Sequence, residues 1–310
     1  MRLDWLEDIL AVIDTGSIRA AAERRCVTQP AFSRRIRAIE ESLGVELFDR
    51  SRKPVVPSPV IAAREEELRR TAAQLRDLGG ELRRAARESH GRLVLATQHA
   101  LTATLAPQLI DRLLGGIDLV VRLRSANRED CLALLMTRQA DLMIGYQTEA
   151  EASGAAGEFL ERAELGQDAL IPVFAAAGRH RLKEFFERGE LPIIAYPRDA
   201  FLGRVLLDDI EPRLPARIAV RGRVETALTL ASLELAKKGI GVAWLPESVA
   251  RPALNDGALA DLRPDLPATT LRIAALRLRL PQSERHQRLW SALRGDGAEP
   301  GGMLRTGLAG

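Results

Sequence analysis

The stretch CVTQPAFSRRIRAIE, residues 26–40, limits what this chain can fold into more than any other. Phe32, Ile36 and Ile39 recur at i, i+4 and i+7, while Gln29, Ser33 and Arg37 recur at i, i+4 and i+8 with Arg34 beside them. A helix divided this way buries one side and offers the other to a polar partner. The flanks supply the burying surface. Trp5, Leu6, Ile9, Leu10 and Ile13 form a helical stripe, Gly16 stops it, Ser17 caps a second helix, and Ala20, Ala21 and Ala22 allow close packing. Cys26 and Val27 make a short turn. Thr28 is placed to cap the third helix, Pro30 fits its first turn, and Gly44 ends it. Two helices joined by a tight turn, with a third behind them, describe a helix-turn-helix.

In such a unit the start of the second helix of the pair enters the major groove. There Gln29 can bond adenine on two sites, Ser33 adapts, and Arg34 and Arg37 suit guanine or phosphate. The segment GVELFDRSRKPVVPSP follows, with Val45, Leu47 and Phe48 and then a basic tip of Arg50, Arg52 and Lys53. A hairpin wing would lay that tip on phosphate. Residues 1–58 hold ten Lys/Arg against nine Asp/Glu, so any DNA face depends on the clustering of bases at 34–37 and 50–53.

The segment GSIRAAAERRCVTQPAFSRRIRAIEESLGVELFDRSRKP resembles the winged helix-turn-helix of LysR-type transcriptional regulators. It follows the long, specific pattern A-A-x-x-x-x-V-[ST]-Q-P-A-x-S-x-x-I-x-x-[IL]-E-x-x-L-G-x-x-L-F-x-R. It departs at Ser58-Pro59-Val60-Ile61, where that family usually has Thr-Pro-Ala-Gly. The resemblance implies an α/β protein in three parts: a winged helix-turn-helix at 1–58, a dimerising linker helix at 59–88, and a two-lobed, Rossmann-like effector domain at 91–295 of the periplasmic-binding-protein kind. Expected DNA contacts are Gln29, Pro30, Ser33, Arg34 and Arg37, with Arg52 and Lys53 on the backbone. Expected partners are operator DNA of two-fold symmetry, a small-molecule effector, and further copies of the chain as a homodimer or homotetramer.

In the connector, Leu68, Leu75 and Leu82 recur every seven residues, and Thr71, Leu78 and Ala85 follow each by three. That is a coiled-coil seam over about three heptads. Gly79 and Gly80 interrupt it at about 1 kcal/mol each relative to alanine, so a local bend or loosened turn is expected there. With the resemblance, Leu68, Leu75, Leu78 and Leu82 become the dimerisation residues.

From Gly91 onward apolar strands alternate with helices, which argues for a mainly parallel sheet. The resemblance divides it into a first lobe at about 91–162 plus 268–295 and a second at about 163–267. Ligands of open α/β sheets sit beyond strand C-ends near helix starts. Those places hold Gln98, His99, Thr102, Tyr146, Arg198, Phe201, Gly203 and Thr226, the expected effector residues for a small polar or anionic molecule. The glycine-rich tail at 296–310 is expected to be disordered.

His99, FLGR at 201–204 and GIGVAWLPES at 239–248, with the motifs above, are similar to the hypochlorite-responsive branch of the family, whose members sense through methionine oxidation. The corresponding positions here carry Leu202 and Leu228. Met136 and Met143 are expected in a core helix and strand, and Cys26 and Cys131 as small buried side chains rather than thiol sensors.

The rest of the chain excludes other classes. Its 310 residues are 46% hydrophobic, enough for buried cores, and its net charge is only +3. The acidic start MRLDWLEDIL is not a signal peptide, and no apolar run approaches the ~20 residues of a membrane span. Two distant cysteines fit a reducing cytosol, so a cytoplasmic, nucleoid-associated protein is expected. Four scattered histidines show no zinc spacing. No GxSxG, GxxxxGK[ST] or strand-preceded GxGxxG is present, which argues against an enzyme with an appended DNA-binding domain and against any cofactor.

Overall fold

The computed structural model describes residues 2–89, 91–114, 119–154, 157, 159–280 and 284–294. The tail at 296–310 lies outside the described residues. The chain separates into a first unit ending at Arg83 and a second beginning at Arg84.

In the first unit, α1 (Leu3–Thr15) ends at Gly16, whose backbone is left-handed (φ 60°) and whose N–H donates to the Val12 carbonyl. A Cβ at Gly16 would be strained and would lie 2.9 Å from Pro54 Cβ, so only glycine fits. The Ser17 hydroxyl accepts from Ala20 N at 3.3 Å and starts α2 (Ile18–Arg24). Cys26 turns the chain with φ 54°. The third helix, α3 (Gln29–Leu43), has Thr28 at its N-cap, but the threonine hydroxyl bonds no helix N–H; extended backbone alone makes that start. Phe32, Ile36 and Ile39 are at most 1% exposed and share a core with Ile9, Val12, Ala21 and Ala22. Strands β1 (Phe48–Asp49) and β2 (Val56–Pro57) pair antiparallel and hold the expected wing between them.

One buried charge ties the three helices. The Asp8 carboxylate on α1 is fully buried and lies 2.8 Å from Arg25, just after α2, and 2.7 Å from Arg35 on α3. Arg35 is therefore turned inward, although it lies within the basic run at 34–37.

The connector starts with a short helix, α4 (Pro59–Ala62), followed by α5 (Glu65–Ser89). The 25-residue α5 runs as one helix through Gly79 and Gly80, so no loosened turn interrupts it there. A local cost of about 1 kcal/mol per glycine does not break a helix that is good former on both sides. Leu68 turns toward the first unit's core beside Ala72, whereas Leu75, Leu78 and Leu82 are 36%, 52% and 64% exposed.

The second unit begins with β3 (Arg92–Gln98), α6 (His99–Thr104), α7 (Ala106–Leu114), β4 (Val120–Ala126), α8 (Arg128–Met136), β5 (Leu142–Gln147) and α9 (Glu149–Ser153). It continues with β6 (Leu160–Ala175), α10 (Arg179–Glu187), β7 (Glu190–Ala195), α11 (Phe201–Val205), a π turn at Leu206–Ile210, β8 (Ala219–Glu225), α12 (Thr229–Lys237), β9 (Val242–Pro246), α13 (Glu247–Asn255), β10 (Leu259–Asp261), β11 (Thr269–Leu278) and α14 (Glu284–Arg294). The strands form one sheet in the order β4-β3-β5-β11-β6-β9-β7-β8, with β10 beside β6.

The sheet is mixed rather than mainly parallel. Pairs β3–β4, β3–β5, β7–β8 and β7–β9 are parallel; every pair involving β6 or β11 is antiparallel. The two long strands run against the rest because they are the crossovers between lobes. Over Leu160–Leu170, β6 pairs with β11; from Leu170 to Val173 it pairs with β9. The exchange of partners thus falls at Leu170, several residues beyond position 163.

Removing both guanidiniums from Asp8 strands a buried carboxylate, whereas removing Asp8 leaves two arginines that can turn to water. The Arg25→Ala/Arg35→Ala double substitution is expected to cost about 3–5 kcal/mol, and Asp8→Ala clearly less. Urea melts followed by circular dichroism check the order; equal costs would contradict it.

Candidate functional site

Gln29, Pro30, Arg34 and Arg37 are exposed on α3, with Ser33 half-buried beside them. Arg34 and Arg37 have no ion-pair partner among the described residues. In the wing, Arg50 is held by Glu40 and Arg52 lies 3.1 Å from Asp49, while Lys53 is exposed and unpaired among the described residues. The first unit therefore presents an amide, a hydroxyl and uncommitted cations at a helix start, the groups that read base edges and phosphate.

In the second unit the starts of α6, α8 and α11 converge on a cavity between the lobes of about 20 Å³, room for roughly one water. The Tyr146 and Phe201 side chains close it, together with Tyr196, Gln98 and His99. Gln98 is buried, and its side-chain oxygen accepts from Tyr146 N at 2.5 Å, a bond that ties the end of β3 to β5. The Tyr146 hydroxyl donates to Asp168 Oδ2 at 2.9 Å. Burial, reinforced by the Asp168 charge, holds the Tyr146 phenol well above its ordinary range. Asp168 on β6 also accepts from Ser248 Oγ at 2.5 Å, Ser248 N at 3.2 Å and Ala169 N at 2.8 Å. The carboxylate thus joins β5 of the first lobe to α13 of the second. Across the cavity the Tyr196 hydroxyl donates to the Trp244 carbonyl at 3.1 Å, and burial pushes its pKa up to about 12.

The other expected effector residues are distributed unevenly. His99 Nδ1 lies 2.9 Å from Ser125 Oγ, which lies 2.9 Å from Thr102 Oγ1; Thr97 Oγ1 is 2.7 Å from Thr102 Oγ1. Thr102 belongs to this hydroxyl cluster behind His99 and not to the cavity wall. Arg198 is exposed and off the wall, and the Thr226 hydroxyl accepts from Leu228 N at 3.1 Å in a local turn. Gly203 serves packing, since a Cβ there would sit 1.9 Å from the Pro197 carbonyl oxygen.

Sequence reasoning missed Arg128. It is the first residue of α8, directly after β4, and the rule that selected 98–102 applies equally to Ala126, Asn127 and Arg128. Its guanidinium lies 5.2 Å from the Phe201 ring centre and 3.0 Å from Glu151. Phe201 is also part of a larger open groove of about 680 Å³, so its ring is a wall common to both spaces.

Cys131 is buried as expected, and burial pushes its thiol up to about 11, so it stays protonated. Cys26 is instead exposed, because the left-handed turn directs it away from the helix pair. Met143 is buried in β5, but Met136, expected in the core, is 47% exposed at the end of α8. Among the described residues no helix is long and apolar enough to cross a membrane, and no group of three His, Cys, Asp or Glu side chains could hold a metal ion.

Residues 3–60 match the bacterial regulatory helix-turn-helix protein, lysR family, and residues 86–298 match the LysR substrate binding domain. The chain belongs to the LysR family. It is a LysR-type DNA-binding transcriptional regulator with an effector domain of the substrate-binding kind. It is similar to the transcriptional regulator YjiE of Escherichia coli, 24% identical over 94% of this chain and 93% of that one. It is also similar to the octopine catabolism/uptake operon regulatory protein OccR of Rhizobium meliloti, 27% identical over 81% of each. Among solved structures, full-length HypT of Salmonella typhimurium, a hypochlorite-specific LysR-type regulator, aligns with a TM-score of 0.57 at 26% identity over 95% of this chain and 97% of that one.

Tyr146→Phe removes one of four donors to Asp168 and keeps the aromatic ring in the wall of the LysR-type cavity. It is expected to cost about 1–1.5 kcal/mol of stability, read as a lower denaturation midpoint. No change would show that the bridge through Asp168 carries no weight.

Proposed function

We propose that this LysR-type regulator reads operator DNA with Gln29, Ser33, Arg34 and Arg37, packs Pro30 at the groove entrance, and places Arg52 and Lys53 on the backbone. The exposed, uncommitted state of Arg34, Arg37 and Lys53 supports the assignment. Residues 1–58 then form the DNA-reading part, 59–88 the pairing part and 91–295 the sensing part. Leu75, Leu78 and Leu82 supply the dimer seam, supported by their exposure along one helix. Leu68, turned toward the first unit's own core, contributes to that core rather than to the seam. The protein acts as a regulator and not as an enzyme, on chromosomal DNA in the cytoplasm.

The effector is a small anion held in the cavity between the lobes. One observation carries this: among the described residues Arg128 is the single charged side chain in the cavity wall, and no carboxylate joins it. An anion would compete with Glu151 for Arg128 and hydrogen-bond Gln98 or His99. With room for about one water, the cavity must open to admit it, and rotation of Phe201 would join it to the neighbouring groove. Such a ligand prefers an open arrangement, and about 1.4 kcal/mol of preference shifts a two-state equilibrium tenfold. An oxidant-sensing reading rests on the likeness to HypT; Leu202, not a methionine, stands in this cavity's wall.

Gln29→Ala is expected to cost about 1–3 kcal/mol at the operator and to relax base preference, whereas Lys53→Ala weakens all sequences alike and flattens the salt dependence. Electrophoretic mobility shifts with operator and scrambled DNA at several salt concentrations separate the two; unchanged preference in Gln29→Ala would refute the assignment.

Arg128→Gln is expected to leave operator binding intact and to weaken an anionic effector by about tenfold or more. Thermal-shift screening of full-length protein against small mono- and dicarboxylates, repeated on the variant, checks it. An effector bound equally well by both proteins would move the site away from Arg128.

A further inference from the structure

A second groove, about 640 Å³ in volume, opens on the second unit along α10, and none of its residues belongs to the interlobe cavity. Its floor is apolar. Leu182 and Leu262 are 2% and 1% exposed, and Phe186 and Ile218 are partly buried against the same core. Its rim is basic on balance, with His180 and one carboxylate, Asp265, beside three cations. Arg179, Lys183 and Arg217 are exposed there and have no ion-pair or hydrogen-bonding side-chain partner among the described residues.

Neighbouring cations on α10 show the contrast. Arg181 donates to the Gly239 carbonyl at 2.6 Å, and Arg188 lies 4.8 Å from the Phe185 ring centre. Both have structural work, whereas the cations that border the groove have none. Local stability does not account for them either. Arg179 and Lys183 are like charges four residues apart in the first half of a helix with no acidic residue in its first turn, and both features disfavour the helix. The volume lies in the range of small-molecule pockets, and an apolar body with a few converging charged groups is their usual chemistry.

We propose that this groove binds an amphipathic organic anion, a carboxylate on an aliphatic body, at a site separate from the cavity between the lobes. The body lies on Leu182, Phe186, Ile218 and Leu262; the carboxylate is held by Lys183 and Arg217, with Arg179 beside them. A simple inorganic anion would leave the apolar floor unused, and a neutral lipid-like molecule would leave the cations unused.

The test is isothermal titration of the full-length protein with octanoate, octanol and inorganic phosphate. Expected is saturable binding of octanoate, one per chain, with octanol and phosphate each at least about tenfold weaker. Lys183→Gln/Arg217→Gln should weaken octanoate by about tenfold or more. Arg179→Gln, a single exposed change, should weaken it in the same direction. Arg128→Gln, in the other cavity, should leave it unchanged, so that failure here and failure of the interlobe reading are told apart. Equal binding of octanol or of phosphate, octanoate affinity untouched by the double substitution, or no binding at all would each overturn the proposal.

Discussion

Phe32, Ile36 and Ile39 fill the space left by α1 and α2, and a helix turned by one residue, about 100°, would put Arg37 with Glu40, or Arg35, into that space. Burying an unpaired guanidinium costs several kcal/mol, so α3 has one permitted rotation. That rotation sends Gln29, Arg34 and Arg37 to the surface and leaves Ser33 at the margin. Asp8 fixes it from the other side by drawing Arg35 in. The face proposed to contact DNA thus follows from a packing requirement made behind it: the helix start can present its uncommitted cations because the apolar face holds α3 still.

The second unit shows the same dependence on a hidden group. β6 passes from one lobe to the other and carries Asp168, whose carboxylate gathers Tyr146 from the first lobe and Ser248 from the second. The bridge stands behind the cavity wall and ties the lobes where the crossover strands join them. The Arg204–Glu129 pair spans the same lobes nearer the surface, with both partners about two-fifths exposed, and such pairs contribute little. Opening the lobes would have to break that buried bridge, and the contacts proposed between an anion and Arg128 would have to offset the cost.

What could be read from the sequence had local periodicity. The split faces of α3, the Gly16 stop and the strand–helix alternation all repeat within a few residues, and the structure has them in place. Sequence reading failed where distant residues meet. Arg35 lies among outward-facing arginines in the sequence, and only the fold brings Asp8 to it. Arg128 and Phe201 are far apart in the chain and touch across the lobes. The first half of β6, LERAELGQD, has too many charged residues to resemble a buried strand, yet it pairs along its length with β11 and leaves Glu164 mostly exposed. Leu68 shares its heptad with Leu75 and Leu82, but α1 lies against it, so tertiary contact overrides the repeat. The eight effector positions came from one rule about helix starts, which finds the ends of strands but does not say which side chains turn inward.

In the function proposed, α3 lies in the major groove and its polar face reads bases. Methylation interference on promoter DNA bound by the full-length protein tests it most directly, because methylation of guanine N7 blocks the major groove alone. Two zones of interference are expected, separated by about one helical turn or a multiple of it, as two symmetry-related recognition helices require. Binding that is indifferent to major-groove methylation, or protection confined to the minor groove, would contradict it.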